Sequence, residues 1–116
     1  MDRKNELKQQ YKLSKPDMGI FTIRSKINNK YFIQSTKDLC GVMNGTKFKL
    51  ATGSHPNREL QRDWNEAGED NFIIEIIERL EYNEEESNTN YSEDLNLMEM
   101  IWEEKFTKEN LELYRK

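Results

Sequence analysis

The sequence predicts an α+β domain with a small three-stranded antiparallel sheet flanked by helices. Three features carry that expectation. Two short segments rich in strand formers, Ile20 to Ile23 and Tyr31 to Ile33, bracket the turn-like pair Asn28-Asn29 and read as a hairpin. Two helical stretches follow, each closed by a glycine, Gly53 and Gly68. An apolar run from Phe72 to Leu80 then precedes a last segment with helical apolar spacing.

The elements follow in order. Residues 2–13 suit a polar helix whose apolar face is thin, with Leu7 and Tyr11, and Pro16 ends it. After the hairpin, Thr36 is the expected cap of a helix over roughly 37–51. A second helix covers roughly 58–67, with Asn57 as its N-cap. Residues 72–80 alternate only in part and suit a well-buried third strand. Residues 81–92 are acidic, contain the run Glu84-Glu85-Glu86 and have no apolar period, so they read as a loop. Ser92 is placed to cap a final helix from about 93 to 106, and a short helical tail is expected to reach Tyr114. The chain thus divides into an N-terminal helical extension (1–17), a domain (18–106) and a C-terminal tail (107–116).

Composition narrows the function classes. With 116 residues, 34% of them apolar and as many charged, the chain can build one modest core and must concentrate burial on a few elements. No apolar run is long enough to span a membrane, and the first residues do not resemble a signal peptide. The single cysteine, Cys40, has no partner for a disulfide or a zinc site, which points to a soluble protein of the cytoplasm. The net charge of −4 is unevenly spread: residues 1–67 carry 13 Lys/Arg against 7 Asp/Glu, and residues 68–116 carry 5 against 15. The basic half could meet phosphate, or the two halves could simply soften each other's field.

Three stretches recur at characteristic offsets: Gly19-Ile20-Phe21, Phe32-Ile33-Gln34, and His55-Pro56-Asn57 running on to Leu60-Gln61, Trp64-Asn65, Gly68 and Phe72. With Ser35-Thr36 and Leu39 between them, they resemble the GIY-YIG nuclease family, in the branch of homing-endonuclease-type domains, over roughly residues 18–106. The third stretch also has a structural reading, because Leu60, Trp64 and Ala67 share a helical face while Asn57 and Gly68 are caps.

The resemblance implies metal-dependent phosphodiester cleavage. Two motif tyrosines handle water and protons, an arginine and a histidine on the first helix meet phosphate, and a glutamate on the last helix holds one divalent cation. At those positions this chain has Phe21 and Phe32 for the tyrosines, Val42 for the arginine and Thr46 for the histidine, and Gln34 replaces the motif's final glycine. Phenylalanine has no hydroxyl and valine cannot neutralise phosphate. Lys47 lies about 100° round the helix from Val42 and is a poor substitute. Glu99 matches the metal-binding glutamate, beside an apolar stripe of Leu97, Met98, Ile101 and Trp102 flanked by Leu95 and Phe106. It is either a retained ligand for Mg²⁺ or Mn²⁺ or an ordinary boundary carboxylate.

Other residues have two readings each. His55, the only histidine, could act as a base, but its place before Pro56-Asn57 favours a turn contact. Cys40 has no neighbouring histidine in sequence and reads as an ordinary thiol. Gly41 and Gly45, four apart in a helix, suggest close packing, a distortion or backbone approach to a partner.

Three functions are therefore compared. The first is a catalytically degenerate nuclease-like domain that binds nucleic acid weakly and without sequence preference. It would use Arg24, Lys26 and Lys30 at the hairpin and Lys37, Lys47 and Lys49 on or near the first helix. The second is a protein-interaction or self-association module, for which Tyr82, Tyr91 and the acidic loop would serve. The third is a divergent endonuclease using Glu99 with His55 or a lysine. Whether Phe21, Phe32, Val42 and Thr46 gather into a dry cluster decides whether the family's site has been filled.

Overall fold

A computed structural model describes residues 16–82 and 91–114. The expected helix at 2–13 and the middle of the acidic loop lie outside these residues. Strands β1 (Met18–Ser25) and β2 (Lys30–Thr36) form the hairpin, helices α1 (Leu39–Thr52) and α2 (Arg58–Ala67) follow, and a 3-10 turn (Glu69–Asn71) leads into β3 (Phe72–Leu80). Helix α3 (Ser92–Lys108) and a two-residue strand, β4 (Glu112–Leu113), are the last elements among the described residues.

The sheet has four strands in the order β3-β1-β2-β4, one more than the sequence predicts. The addition comes from the tail. Expected to be helical, it instead turns at Asn110, which has φ of 61°, and lays Glu112 and Leu113 parallel to Lys30 and Tyr31. The gain is long-range: the Tyr114 N–H donates to the Tyr31 carbonyl (2.8 Å) and the Tyr114 ring enters the core.

The central strand, β1, is antiparallel to both neighbours and is buried almost throughout. Its two faces make two cores. Phe21 and Ile23 join Leu39 and Leu50 of α1, Leu60 and Trp64 of α2, Phe72 and Tyr114. On the other face, Ile20 and Ile33 pack on Phe106, Met98 and Trp102 of α3. Both tryptophans therefore serve the core, as their helical spacing implies.

β3 alternates only in part because of a register shift opposite Ile20/Phe21, where Ile20 pairs with Glu78 and Phe21 with Ile76. Ile77 packs in the α3 core, and Glu78 accepts a hydrogen bond from Trp102 Nε1 (2.6 Å). Gly19, the glycine of the first motif, is required here. A Cβ at this position would lie 2.1 Å from the Glu78 carbonyl oxygen.

Three local expectations are corrected. Asp38, not Thr36, caps α1, accepting from the Gly41 N–H, while Thr36 Oγ1 accepts from the Asp38 N–H (both 3.0 Å). Ser92 is the first residue of α3 instead of its cap. The buried stripe of α3 runs through Leu95, Met98, Trp102 and Phe106, and Leu97 (58% exposed) and Ile101 (55%) face outward with Met100 (64%). The helix is amphipathic at a slightly different phase because the sheet presents Ile20 and Ile33 to the Leu95–Phe106 side. Tyr82 and Tyr91, offered above for a protein partner, are half-buried and meet edge-on at 5.5 Å. No helix among the described residues is long and apolar enough to cross a membrane.

Candidate functional site

The end of β2, one side of α1, the loop before α2 and the middle of α3 enclose an open cleft of about 590 Å³. Phe32, Val42, Thr46, His55 and Glu99 line it, with Gly41 and Gly45 on the α1 wall and Lys49 at its rim. Four of the five positions implicated by the family resemblance thus come to one place. Phe21 is the exception: it is fully buried in the core. The four positions therefore do not gather into a dry cluster: Phe32, Val42 and Thr46 line a space that is open.

The α1 wall follows from its sequence. Leu39, Met43 and Leu50 turn into the core, so Val42, Thr46 and Lys49 fall along its margin. The two glycines widen the cleft on that side. A Cβ at Gly45 would meet nothing within 4 Å, so packing does not demand this glycine. A Cβ at Gly41 would lie 2.2 Å from the Asp38 carboxylate that caps the helix.

His55 is held rather than free. Its backbone N–H donates to Gln61 Oε1 (3.0 Å), and its Nδ1 accepts from the Asn57 N–H (3.0 Å). With Nδ1 occupied as an acceptor, the neutral ring carries its proton on Nε2. Burial holds its pKa below the usual value, and the positive charge of Lys49 acts in the same direction. The ring also meets Phe32 edge-on, with centroids 5.4 Å apart. As held, the neutral ring has its one lone pair bonded to the Asn57 N–H, so it could take a proton only by giving up that bond, and here it shapes the turn.

The rest of the third motif is structural. Asn57 caps α2 by accepting from the Leu60 N–H (3.0 Å), and Leu60 and Trp64 are buried. Gln61 ties the site to α1: its Nε2 donates to the Leu50 carbonyl and to Asn65 Oδ1, both at 2.9 Å. Sequence reasoning quoted Gln61 and Asn65 but gave them no role. The Gln61–Asn65 pair has the i, i+4 spacing of a helix face, but the bonds of Gln61 to Leu50 and His55 reach outside α2 and have no such signature.

Glu99 points at the open edge of β2. β4 pairs only with Lys30 and Tyr31, so among the described residues the far end of β2 has β1 on one side and no strand on its outer edge, where Glu99 Oε1 accepts from the Ser35 N–H (2.9 Å). The carboxylate therefore satisfies a sheet edge while lining the cleft. Among the described residues, no group of three or more His, Cys, Asp or Glu could hold a metal together. Mg²⁺ or Mn²⁺ at Glu99 would need phosphate oxygens and water to complete its shell.

The six expected phosphate-contacting cations do not form one patch. Lys49 rims the cleft, while Lys47 is exposed farther round α1 and Lys37 is exposed just before it. Lys26 Nζ donates to the Asp70 carbonyl (3.2 Å), and Lys30 pairs with Glu59. Arg24 alternates toward the α3 side of the sheet with Ile20, and its Nε is buried without a partner among the described residues. Cys40 is exposed and lies near Asn44.

No protein-family profile matches the sequence, and no curated protein is similar to it at the sequence level. Two solved structures are similar in fold. One is the catalytic domain of the homing endonuclease I-TevI, with 25% identity and a TM-score of 0.66 over 85% of this chain and 99% of that one. The other is a single-site variant of the same catalytic domain, with 23% identity and a TM-score of 0.66 over 85% of this chain and 92% of that one. I-TevI is a GIY-YIG nuclease.

Proposed function

We propose, from the premise that the chain has a GIY-YIG-like fold, that its cleft seats the phosphodiester backbone of nucleic acid without cutting it. One observation carries the reading. At four family positions the chain has Phe21, Phe32, Val42 and Thr46, while the cleft those positions would serve stays open. Cleavage needs a group to take a proton from the attacking water and a charge to stabilise the phosphorane-like transition state. Neither phenylalanine nor valine supplies one, and the Thr46 hydroxyl is not a base near neutrality. Lost acid–base groups typically cost factors of about 10² to 10⁴ in rate each.

Binding asks less. A phosphate at the rim would meet the Lys49 ammonium, and an extended backbone could approach α1 closely at Gly41 and Gly45. Glu99 would tolerate phosphate only with a cation between them.

A divergent metal-dependent endonuclease is the second reading, because His55 and Glu99 line the same cleft. The two are separated by incubating the protein with end-labelled duplex and single-stranded DNA and RNA in Mg²⁺ and in Mn²⁺. The binding reading expects intact nucleic acid. Cleavage that disappears in Glu99→Ala would establish the second reading instead, and cleavage that survives that substitution would come from elsewhere.

A further inference from the structure

A second groove adjoins the cleft and shares His55 and Pro56 with it. It is about 530 Å³ in volume, open, and lined on one side by Ser54 and on the other by Arg58, Arg62 and Asn65 of α2. Arg58 and Arg62 are exposed, and neither has an ion pair or a side-chain hydrogen bond among the described residues. They stand one helical turn apart, roughly 6 Å along the axis.

The acids of α2 lie about 100° round the helix from the arginines. At 100° per residue, Arg58, Arg62 and Asn65 share one face, and Glu59, Asp63 and Glu66 share another. The structure turns that acidic face toward the hairpin and occupies it. Lys30 pairs with Glu59, and Asp63 Oδ2 accepts from Asn28 Nδ2 (3.0 Å) and from the Tyr114 hydroxyl (2.8 Å). The arginines are thus free cations beside two carboxylates that are already engaged, while Glu66, one turn beyond Arg62, is exposed. Lys49 extends the same line of charge across the His55-Pro56 ridge to the rim of the first cleft.

We infer that Arg58 and Arg62 form a phosphate-binding shelf, over which a nucleic-acid strand runs from the cleft onto α2. The inference rests on the proposed binding function and moves its main charge contacts from the hairpin to α2. Arginine suits this role because its planar fork offers several donors to one phosphate group. The contacts are to backbone, so they carry no sequence preference.

The test is a titration of labelled DNA and RNA, single-stranded and duplex, over a range of salt. It compares the wild-type chain with Arg58→Ala/Arg62→Ala, with Arg58→Lys/Arg62→Lys, and with Lys105→Ala/Lys108→Ala on α3. The last removes the same charge from the opposite side of the sheet. The shelf predicts that Arg58→Ala/Arg62→Ala weakens binding about tenfold or more at low salt and lowers the salt slope by about two. Arg58→Lys/Arg62→Lys should restore most of the affinity, and the α3 pair should bind as the wild type does. Circular dichroism and the thermal midpoint establish that the variants are folded. If the wild type binds and Arg58→Ala/Arg62→Ala binds equally well, or no more weakly than the α3 pair, the shelf is wrong and the binding function stands. If the wild type binds nothing at low salt, both fall. The nucleic acid held best, and the form that loses most in the variant, identify the source of the phosphates.

Discussion

His55 illustrates how one side chain can sit in a candidate site and still be spoken for. Its lowered pKa means that, between the folded value and the unfolded value of 6.5, the unfolded chain holds more protons. Its contribution to stability is therefore complete above about pH 6.5 and declines as the pH falls toward the folded pKa. Urea midpoints followed from about pH 7.5 to about pH 5.5 should drop more in the wild type than in His55→Gln. Equal drops would mean that the ring is not held neutral by its surroundings. Gln61 supports the same turn from below, and Gln61→Ala would leave the His55 N–H and the Leu50 carbonyl without their partner. The expected cost is about 1–3 kcal/mol by equilibrium unfolding. The replaced family positions were legible in the sequence because motif spacing runs along the chain. The work of Gln61 was not, because two of its partners, His55 and Leu50, lie outside its own helix. Arg58 and Arg62 were visible only as part of a charge count. Their i, i+4 spacing, with the acids on the other face, was the available signal.

At the scale of elements, the hairpin, two capped helices, third strand and last helix were all legible, because propensity, capping and periodicity agree there. The misses share a cause. β4 forms only because Tyr31 offers a carbonyl at the sheet edge and a core site receives Tyr114, contacts far apart in sequence. The outward turn of Leu97 and Ile101 is likewise set by what the sheet presents to α3. If β4 is a true part of the sheet, Tyr114→Ala should destabilise the domain by about 3 kcal/mol or more. A change of a few tenths would fit a loosely attached tail instead. α1 offers the opposite test. Gly45→Ala meets no atom within 4 Å and should stabilise the domain by about 1 kcal/mol, measured as a shift of the urea midpoint at constant slope. Destabilisation would mean that packing demands the glycine after all.

For the molecule as a whole, the sheet divides charge as well as apolar surface. α1 contributes Lys47 and Lys49 and no acid, and α2 turns Arg58 and Arg62 toward the cleft side. α3 carries Glu93, Asp94, Glu103 and Glu104 against Lys105 and Lys108 behind the sheet, and brings Glu99 to the cleft. A net charge of −4 would repel a polyanion if it were uniform, but this separation presents a basic side to it. The central claim is that the cleft remains a seat for nucleic acid after its cleaving groups have gone. Proton–nitrogen NMR spectra recorded while an oligonucleotide is added in Mg²⁺ test it most directly, since they locate binding and the recovered oligonucleotide reports cutting. The account predicts that the Gly41, Gly45 and His55 amides and those at the start of α2 shift in a salt-sensitive way, with the oligonucleotide recovered intact. Shifts confined to α3 or the far edge of β3, or recovery of cut oligonucleotide that depends on Glu99, would contradict it.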